Sequence, residues 1–357
     1  MRQSSAPAPV EESDSRDPER YRHELTGFCY RMLGSVFEAD DAVQDTMLRA
    51  WRSMDSFDGR ASLRSWLYRI ATNVCIDALN GRNRRALPMD FGPASPPVPA
   101  SLGDALPEYS WIGPIPDHRV LVAASDPADQ AVTRESIRLA FVAALQHLPP
   151  RQRAVLILRD VLSWKASEVA GLLETTLASV NSALQRARAT LADLDPVDTR
   201  RTEPMTDTSR GLLERYVDTF ERYDIEAFVA LLHEEAVQSM PPYAIWLQGP
   251  EDIGTWMLGP GIGCRDGRMV PVAANGQPGF ATYRRIGQGY EPFSIQVLEL
   301  AGGRVTSITV FLDTASLFPL FGLPLTLDAQ STMSDGQALD GHDLLPRRPA
   351  GCGRSAG

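Results

Sequence analysis

Prolines constrain this chain more than any other feature of its sequence. Nine of them fall between residues 88 and 127, whereas residues 21–87 contain none. Proline fixes φ and lacks a backbone N–H, so such a segment can form neither a continuous helix nor a central strand. We therefore predict a linker over residues 88–127 that separates two folded domains.

The segments on either side of this linker have apolar residues at helical spacing. This spacing predicts two all-α domains, at residues 21–87 and 128–195. A short polar linker at 196–208 follows the second of them. The two ends of the chain, 1–20 and 329–357, are polar and are predicted to be disordered.

The pattern changes again over residues 209–328. Amphipathic helices are predicted at 212–223 and 225–232, and a shorter helix at 250–258. His233 directly follows the second of these runs and is expected to continue that helix. Strand-like runs follow, separated by turns at Gly276 and at Gly302 and Gly303. These runs are 269–273, 280–284, 293–300 and 305–312. Helices followed by an antiparallel meander predict an α+β domain.

The composition is that of a globular protein, with 43% hydrophobic residues and a formal net charge of −10 over 357 residues. Any DNA contact must therefore rest on a local cluster of arginines rather than on a bulk positive field. Without a long apolar run or a signal-peptide core, we expect a cytoplasmic protein that contacts no membrane. The four cysteines form no CxxC pair and have no histidines at metal spacing, so we expect neither a metal nor a cofactor.

Charge is unevenly distributed along the first helical segment. An acidic cluster at 38–45 includes Asp41 and Asp45, which lie four residues apart and share a helix face. We expect no arginine within that helix to pair with this face. Residues 60–85 then hold six arginines and a single acid. The two clusters predict two different partners, and ordinary solvated helix faces are the alternative.

Aromatic side chains and arginines are interleaved from Phe57 to Asn73. Aromatic faces stack on unpaired bases and arginines hold phosphates, which is the chemistry of single-stranded DNA capture. The alternative is that Trp66, Leu67 and Ile70 belong to the core. We expect Trp66 to be partly core in either case.

Residues 38–51 (EADDAVQDTMLRAW) and 61–73 (ASLRSWLYRIATN) resemble region 2 of the extracytoplasmic-function sigma factors, members of the sigma-70 family of bacterial RNA polymerase. The resemblance implies that the acidic helix binds the core enzyme through Asp41, Gln44 and Asp45. It also implies that the loop at 57–62 and the next helix open and recognise the −10 promoter element. The residues implied in −10 DNA binding are Ser62, Arg64, Trp66, Arg69, Asn73, Arg82, Arg84 and Arg85.

The second helical segment has the pattern of a helix-turn-helix, with helices near 164–173 and 179–188 joined at 174–176. Thr175 or Thr176 can cap the second helix. Its buried stripe is predicted to be Val180, Leu184, Ala187 and Leu191. Polar residues off this stripe can read base edges or bind phosphates in the major groove.

With its Leu-Pro-x-Arg-Gln-Arg entry at 148–153, this segment resembles region 4 of the same sigma family, which binds the −35 promoter element. The implied −35 contacts are Thr176, Ser179, Asn181, Ser182, Gln185, Arg186 and Arg188. Among them, we expect Gln185 and Arg186 to make the main contacts with the bases. Asn181 stands where the family often has a basic residue, which leaves the preferred −35 sequence open.

The linker and the third domain carry further resemblances. Residues 111–117 (WIGPIPD) resemble an element of sigma factors that have an added C-terminal domain, and a proline-rich spacer with one aromatic is the alternative. In this family the linker runs through the active cleft and RNA exit path of the core enzyme. Residues 209–328 resemble the SnoaL-like fold, a cone of curved sheet and helices around a pocket. The pocket candidates are Tyr243, Trp246, Trp256, Asn275, Tyr283 and Asp313.

The sequence therefore predicts a multi-domain chain with two all-α domains and an α+β SnoaL-like domain. Its predicted function is that of an alternative sigma factor whose partners are core RNA polymerase and promoter DNA. The third domain is predicted to regulate that function, with a small molecule as a further ligand. One alternative is a helix-turn-helix regulator that acts without polymerase. Another is a cyclase or isomerase activity, but Asp313 is a single carboxylate without a visible partner, so we predict no enzyme.

Overall fold

The computed structural model describes residues 17–121, 127–194 and 205–328. They form two compact units, and the predicted linker does not stand apart from them. Among the described residues, the first unit joins 17–85 to 119–121 and 127–194, and the second joins 86–118 to 205–328. The chain therefore leaves the first unit after Arg85 and returns to it at Arg119.

The first unit is all-α, as its periodicity predicts. Its first three helices are α1 (Arg22–Leu33), α2 (Val36–Ser53) and α3 (Leu63–Leu79). Five more follow the return of the chain: α4 (Pro127–Glu135), α5 (Leu139–Gln146), α6 (Pro150–Leu156), α7 (Ala166–Leu172) and α8 (Leu177–Asp193). A π-helical turn, Ile157–Val161, extends α6.

Short polar side chains define where the important helices begin. Ser35, Ser62 and Thr176 each accept a hydrogen bond from the backbone N–H three residues on, at the starts of α2, α3 and α8. Such caps satisfy amides that have no partner within the helix. Thr176 is thus the cap of the second helix-turn-helix helix, and Val180, Leu184 and Ala187 are buried as predicted, while Leu191 is half-buried.

The second unit combines helices with one seven-stranded sheet. The helices are α9 (Asp207–Glu221), α10 (Ile225–Val229), α11 (Gly249–Leu258) and α12 (Thr314–Leu320). The strands are β1 (Leu232–Ser239), β2 (Trp246–Gln248), β3 (Arg268–Ala274), β4 (Gln277–Ile286), β5 (Gly289–Ala301), β6 (Arg304–Phe311) and β7 (Leu327–Asp328). Their order is β2-β1-β6-β5-β4-β3, with β7 beside β5.

Strands β3 to β6 form the predicted antiparallel meander, with the predicted glycines at positive φ in the turns. Strand β1 was not predicted, and the expected position of His233 on a helix is wrong because this residue lies in β1. A shift in register between Leu232 and Val237 interrupts the alternation of buried and exposed residues in β1. A strand is predicted from alternating apolar and polar residues, and the bulge breaks this alternation, so the sequence did not predict β1.

The core of the second unit lies between the sheet and helices α9 to α11. Tyr216 of α9 stacks on Phe280 of β4 with 5.8 Å between ring centroids, and it also contacts Phe228 of α10. Its hydroxyl donates to Gln296 Oε1 on β5 at 2.7 Å. Large aromatic side chains therefore fill the space that the sheet encloses. Among the described residues, no helix is long and apolar enough to cross a membrane.

Candidate polymerase and promoter interfaces

Helix α2 presents one continuous exposed stripe. Its members are Phe37, Asp41, Gln44, Leu48 and Trp51. They are spaced four, three, four and three residues apart, so they fall on one helix face. Trp51 is 77% exposed and Leu48 is 45% exposed. The predicted residues Asp41 and Gln44 thus lie among apolar side chains that our sequence analysis missed, although the same spacing was visible there.

The remaining acids of α2 have arginine partners. Asp45 pairs with Arg49 one turn on, at 2.8 Å, so the expectation that no arginine of this helix matches its carboxylates is wrong. Glu38 binds Arg82 at 2.6 Å, and Asp40 binds Arg119 at 2.8 Å. The acidic cluster therefore holds neighbouring segments together as well as facing solvent.

Two of the arginines predicted to hold the DNA backbone are engaged within the protein. Arg85 is only 5% exposed and its Nη2 lies 3.1 Å from Glu38 Oε1. Arg84 contacts the imidazole of His147. Arg85 is consequently a structural residue in this arrangement, which corrects its assignment as a DNA contact, whereas Arg82 keeps an exposed side chain beside Glu38.

Arg64 on α3 is likewise engaged. Its Nε donates to Glu24 Oε1 on α1 at 2.6 Å, and its guanidinium lies 5.0 Å from the ring centroid of Trp164. Burial opposes the charge of Arg64, but the hydrogen bond and the negative charge of Glu24, together with Tyr68, outweigh it and raise the pKa of the guanidinium above its ordinary value. The cation is thus paired within the protein, although 38% of its side chain remains exposed.

Four other −10 candidates lie on α3 or cap its start, and they differ in exposure. Asn73 is exposed, and Arg69 is half-buried with its Nη1 3.6 Å from Glu174 Oε1. Trp66 is buried and packs on Phe57 with 5.0 Å between centroids, which confirms that it is a core residue in part. Ser62 is the exposed cap at the start of the helix.

The candidate −35 residues lie on α8 or cap it, and three of them border an open groove. Arg159 on the preceding π-helical turn lines this groove together with Asn181, Leu184, Gln185 and Arg188. Arg188 makes two hydrogen bonds to Asp160, at 2.7 and 2.9 Å, and Arg186 donates to Ser182 Oγ at 2.6 Å. These partners orient both arginines on the surface.

The start of α8 adds a residue that our sequence analysis missed. Leu177 is 51% exposed directly after the cap Thr176, and it precedes Asn181 by one turn on the same face. Ser179 is exposed beside it. The sequence could have indicated this residue, because Leu177 is apolar and lies on the polar face of the predicted recognition helix.

The pocket candidates of the second unit do not converge on one site. Trp256 is buried and Tyr243 packs at the edge of the core. Tyr283 is buried against Phe318 and donates its hydroxyl to Pro324 O at 2.9 Å. Asp313 is exposed and accepts from the backbone N–H of Ser316, as the cap of α12. The expectation that Asp313 points inward is therefore wrong.

Asn275 and Trp246 instead hold the segment between the two helical domains. Asn275 Oδ1 accepts from the Ile115 N–H, and the Asn275 N–H donates to Ile115 O, both at 3.0 Å. Next to it, the Gly276 N–H donates to Asp117 Oδ1 at 2.7 Å. At the opposite edge of the sheet, Trp246 Nε1 donates to Gly92 O at 2.9 Å. We call residues 86–118, held in this way, the strap.

The cysteines of the described residues form no disulfide. Cys29, Cys75 and Cys264 are free thiols, and Cys352 lies outside the described residues. Within the described ranges, no group of histidine, cysteine, aspartate or glutamate side chains could hold a metal ion.

Comparison with known proteins relates these surfaces to a family. The chain matches the models of sigma-70 region 2 over residues 19–85, sigma-70 region 4 over 138–191 and the SnoaL-like domain over 213–308. It is 48% identical over 319 residues to the ECF RNA polymerase sigma factor SigG of Mycobacterium tuberculosis. This alignment covers 88% of this chain and 84% of SigG. The chain is 30% identical to the ECF sigma factor SigW of Bacillus subtilis, over 48% of this chain and 82% of that one.

A solved structure shares the same architecture. The crystal structure of the extracytoplasmic-function sigma factor SigJ of Mycobacterium tuberculosis aligns with a TM-score of 0.54 and 22% identity, over 86% of this chain and 98% of that one. Helical regions 2 and 4 and a SnoaL-like domain thus define the class of the molecule. The chain belongs to the extracytoplasmic-function sigma factors of the sigma-70 family. It is accordingly an alternative sigma factor, a transcription initiation factor that binds core RNA polymerase and promoter DNA.

Proposed function

We propose that three helices carry the three binding functions of a sigma factor. The stripe on α2 binds core polymerase, α3 with its preceding loop recognises the −10 element, and α8 recognises the −35 element. The observation that carries this proposal is the stripe on α2, because an exposed tryptophan and leucine around Asp41 suit a protein partner and not solvent.

The −10 surface is proposed to consist of Asn73 and Arg69 together with the exposed loop at 57–62. These residues combine an amide, which can pair with a base edge, with a cation for phosphate. The −35 surface is proposed to consist of the exposed residues of α8. Its members are Thr176, Leu177, Ser179, Asn181, Ser182, Gln185, Arg186 and Arg188.

Run-off transcription with purified bacterial core polymerase tests this assignment. The full chain is mixed with core enzyme and a library of genomic promoter fragments, and start sites are mapped. Specific starts that depend on the added chain are expected. Salt-sensitive binding of promoter fragments by the chain alone, without any starts in the presence of core enzyme, would favour a helix-turn-helix regulator that acts without polymerase.

We further propose that the SnoaL-like domain regulates the sigma regions by holding the strap. Support comes from the hydrogen bonds that Asn275, Gly276 and Trp246 make with it. In the family, a linker at this position runs through the core enzyme, and the strap cannot keep these bonds while it does so. Since Asp313 faces solvent, we propose a binding role for the domain and no catalysis.

A small-molecule ligand of this domain stays a prediction. Aromatic side chains occupy its interior, so a ligand would have to displace some of them or the strap. Thermal unfolding of the full chain in the presence of a metabolite library is the direct measurement, because a ligand of the folded state raises Tm.

A further inference from the structure

The second unit is strongly acidic, yet half of its arginines gather at one end of the sheet. Its described residues contain 19 aspartates and glutamates, eight arginines and no lysine. Two of the arginines lie in or just before the start of β3, and two lie near the end of β4, which pairs with β3. They are Arg265, Arg268, Arg284 and Arg285, and we call them the arginine cluster. Because the rest of the unit repels anions, this end of the sheet is where a polyanion can approach it.

The register of the sheet places these cations beside one another. Arg268 of β3 is paired with Tyr283 of β4, and Arg285 follows Tyr283 by two residues. Side chains that are directly opposite, or two residues apart on one strand, lie on the same face of a sheet. Tyr290 of β5 is paired with Arg285, so it lies on this face as well. One face thus combines two arginines with an aromatic ring.

Aromatic rings support two of the four guanidinium groups. Arg268 Cζ lies 5.2 Å from the ring centroid of Tyr290, and Arg284 Cζ lies 5.7 Å from that of Phe293. Arg284 also binds Glu291 on the neighbouring strand. A planar guanidinium stacked on a ring loses less freedom when it binds an anion. These contacts therefore orient the two cations before any ligand arrives.

The other two cations are exposed and available. Within the part of the chain that the structure describes, Arg265 and Arg285 have no acidic partner. Beside them, Ile286 is 56% exposed and Gly287 has a φ of 54°, so the β4–β5 turn is open to solvent. Neighbouring like charges repel, and a bound polyanion relieves that repulsion. The cluster is therefore suited to phosphates.

The covalent structure of the chain favours DNA as the source of these phosphates. Thirteen residues separate Asp193, at the end of α8, from Asp207, at the start of α9. A segment of this length reaches at most about 50 Å when fully extended, which is the length of about 15 base pairs. The start of the SnoaL-like domain therefore stays within about 15 base pairs of any duplex that α8 binds.

We propose that the arginine cluster binds phosphates of duplex promoter DNA next to the −35 element. The SnoaL-like domain then has a DNA contact of its own, in addition to its contacts with the strap. This contact distinguishes no bases, since arginines on phosphates position a protein on DNA without reading its sequence. The inference rests on the assignment of α8 to the −35 element.

The test measures how promoter binding depends on salt. Holoenzyme made from core polymerase and the full chain is titrated with a duplex promoter that run-off transcription has mapped and that extends about 20 base pairs beyond the −35 element. The variants are Arg285→Ala and the double variant Arg265→Ala/Arg285→Ala, neither of which removes a buried side chain. Arg285→Lys retains the charge. Arg215→Ala, an exposed arginine of α9, is the matched control. Thermal unfolding of each variant verifies that it is folded.

Each lost phosphate contact should reduce the slope of log K against log salt concentration by about 0.9. We therefore expect a reduction of about 0.9 in Arg285→Ala and of about 1.8 in the double variant. Arg285→Lys and Arg215→Ala should keep the wild-type slope. Equal slopes in all the proteins would overturn the DNA contact and leave the −35 assignment intact. Failure of every protein, wild type included, to form a promoter complex would overturn the −35 assignment and this inference with it.

Hydroxyl-radical footprinting of the same complexes locates the contact. Wild type should protect a stretch of backbone next to the −35 element, and the double variant should lose this protection while the −35 element itself stays protected. Arg215→Ala should give the wild-type footprint. Unchanged protection in the double variant, together with weaker crosslinking to the new transcript, would assign the cluster to RNA and overturn the proposal.

Discussion

At the scale of single residues, arginine serves two purposes in the first unit. Arg31, Arg85 and Arg153 are buried and hold helices together, whereas Arg186 is exposed on α8. The same planar group with five donors suits both uses, because it satisfies several acceptors at once inside the protein and binds bases or phosphates outside it. Structural arginines and DNA-binding arginines therefore differ in their exposure and in their hydrogen-bond partners, and not in residue type.

Arg186→Ala tests the −35 surface. Loss of a bidentate contact with a base should cost about 1–3 kcal/mol and relax the sequence preference at one position of the −35 element. The measurement is run-off transcription from promoters with single base changes in that element. Arg215→Ala, an exposed arginine of α9, is the control and should leave the preference intact. Unchanged preference in Arg186→Ala would contradict the assignment.

Leu177 provides a second test at this scale. An exposed leucine at the start of a recognition helix suits the methyl group of a thymine. Replacing one −35 thymine by uracil removes only that methyl group, worth about 0.8 kcal/mol. Wild type should distinguish the two bases at one position and Leu177→Ala should not. If wild type tolerates uracil at every position, Leu177 reads no thymine.

At the scale of elements, α2 shows how one helix serves two surfaces. Its outer stripe faces solvent, while Glu38 and Asp40, which flank this stripe, pair with Arg85 and Arg119. Those two arginines are the residues of the first unit that directly precede and follow the strap in sequence. A helix has room for both roles because residues three and four apart share a face.

Asp41→Arg tests the outer stripe. Reversing the charge at its centre should weaken binding to core polymerase without loss of stability, because Asp41 is exposed. Asp45→Arg should weaken core binding too, and it also removes the ion pair with Arg49. Affinity for core enzyme is measured by titration of labelled chain. Glu214→Arg makes the same charge change on α9 and should have no effect; a similar loss in all three would indicate a nonspecific effect of charge.

At the scale of the whole molecule, the segment predicted as a linker is the strap, which packs as part of the second unit. It contacts both edges of the sheet, at β2 through Trp246 and at β3 through a bridge between Pro116 and Ala274. Edge strands have unpaired backbone groups, and covering them protects the sheet from unwanted pairing. The WIGPIPD element is therefore part of a docking segment, since Ile115 and Asp117 bind the Asn275–Gly276 turn.

Asn275→Gly tests whether this docking regulates transcription. Glycine keeps the left-handed turn, in which Asn275 has a φ of 57°, but removes the side-chain acceptor for Ile115. Hydrogen exchange of residues 112–117 should accelerate, and transcription at limiting core enzyme should rise because the strap is released more readily. Faster exchange with unchanged transcription would show docking without regulation.

Local patterns in the sequence determined most of the elements of this protein. Helical spacing and the caps Ser62 and Thr176 specify α3 and α8, and glycines at positive φ specify the turns of the meander. Prolines excluded a continuous helix and a central strand between the helical domains, where the structure has only short 3-10 helices. These signals operate within a few residues of one another, so they can be read without knowledge of the fold.

The tertiary structure alone decided which charged and polar groups are available for function. Arg64 pairs with Glu24 across 40 residues of chain, Arg119 with Asp40 across 79, and Asn275 with Ile115 across 160. The sequence motif presented Arg64 as a DNA contact and Asn275 as a pocket residue, and long-range pairing changed both interpretations. A side chain's partner depends on which distant segments the fold brings within hydrogen-bond distance, and no local pattern encodes that distance.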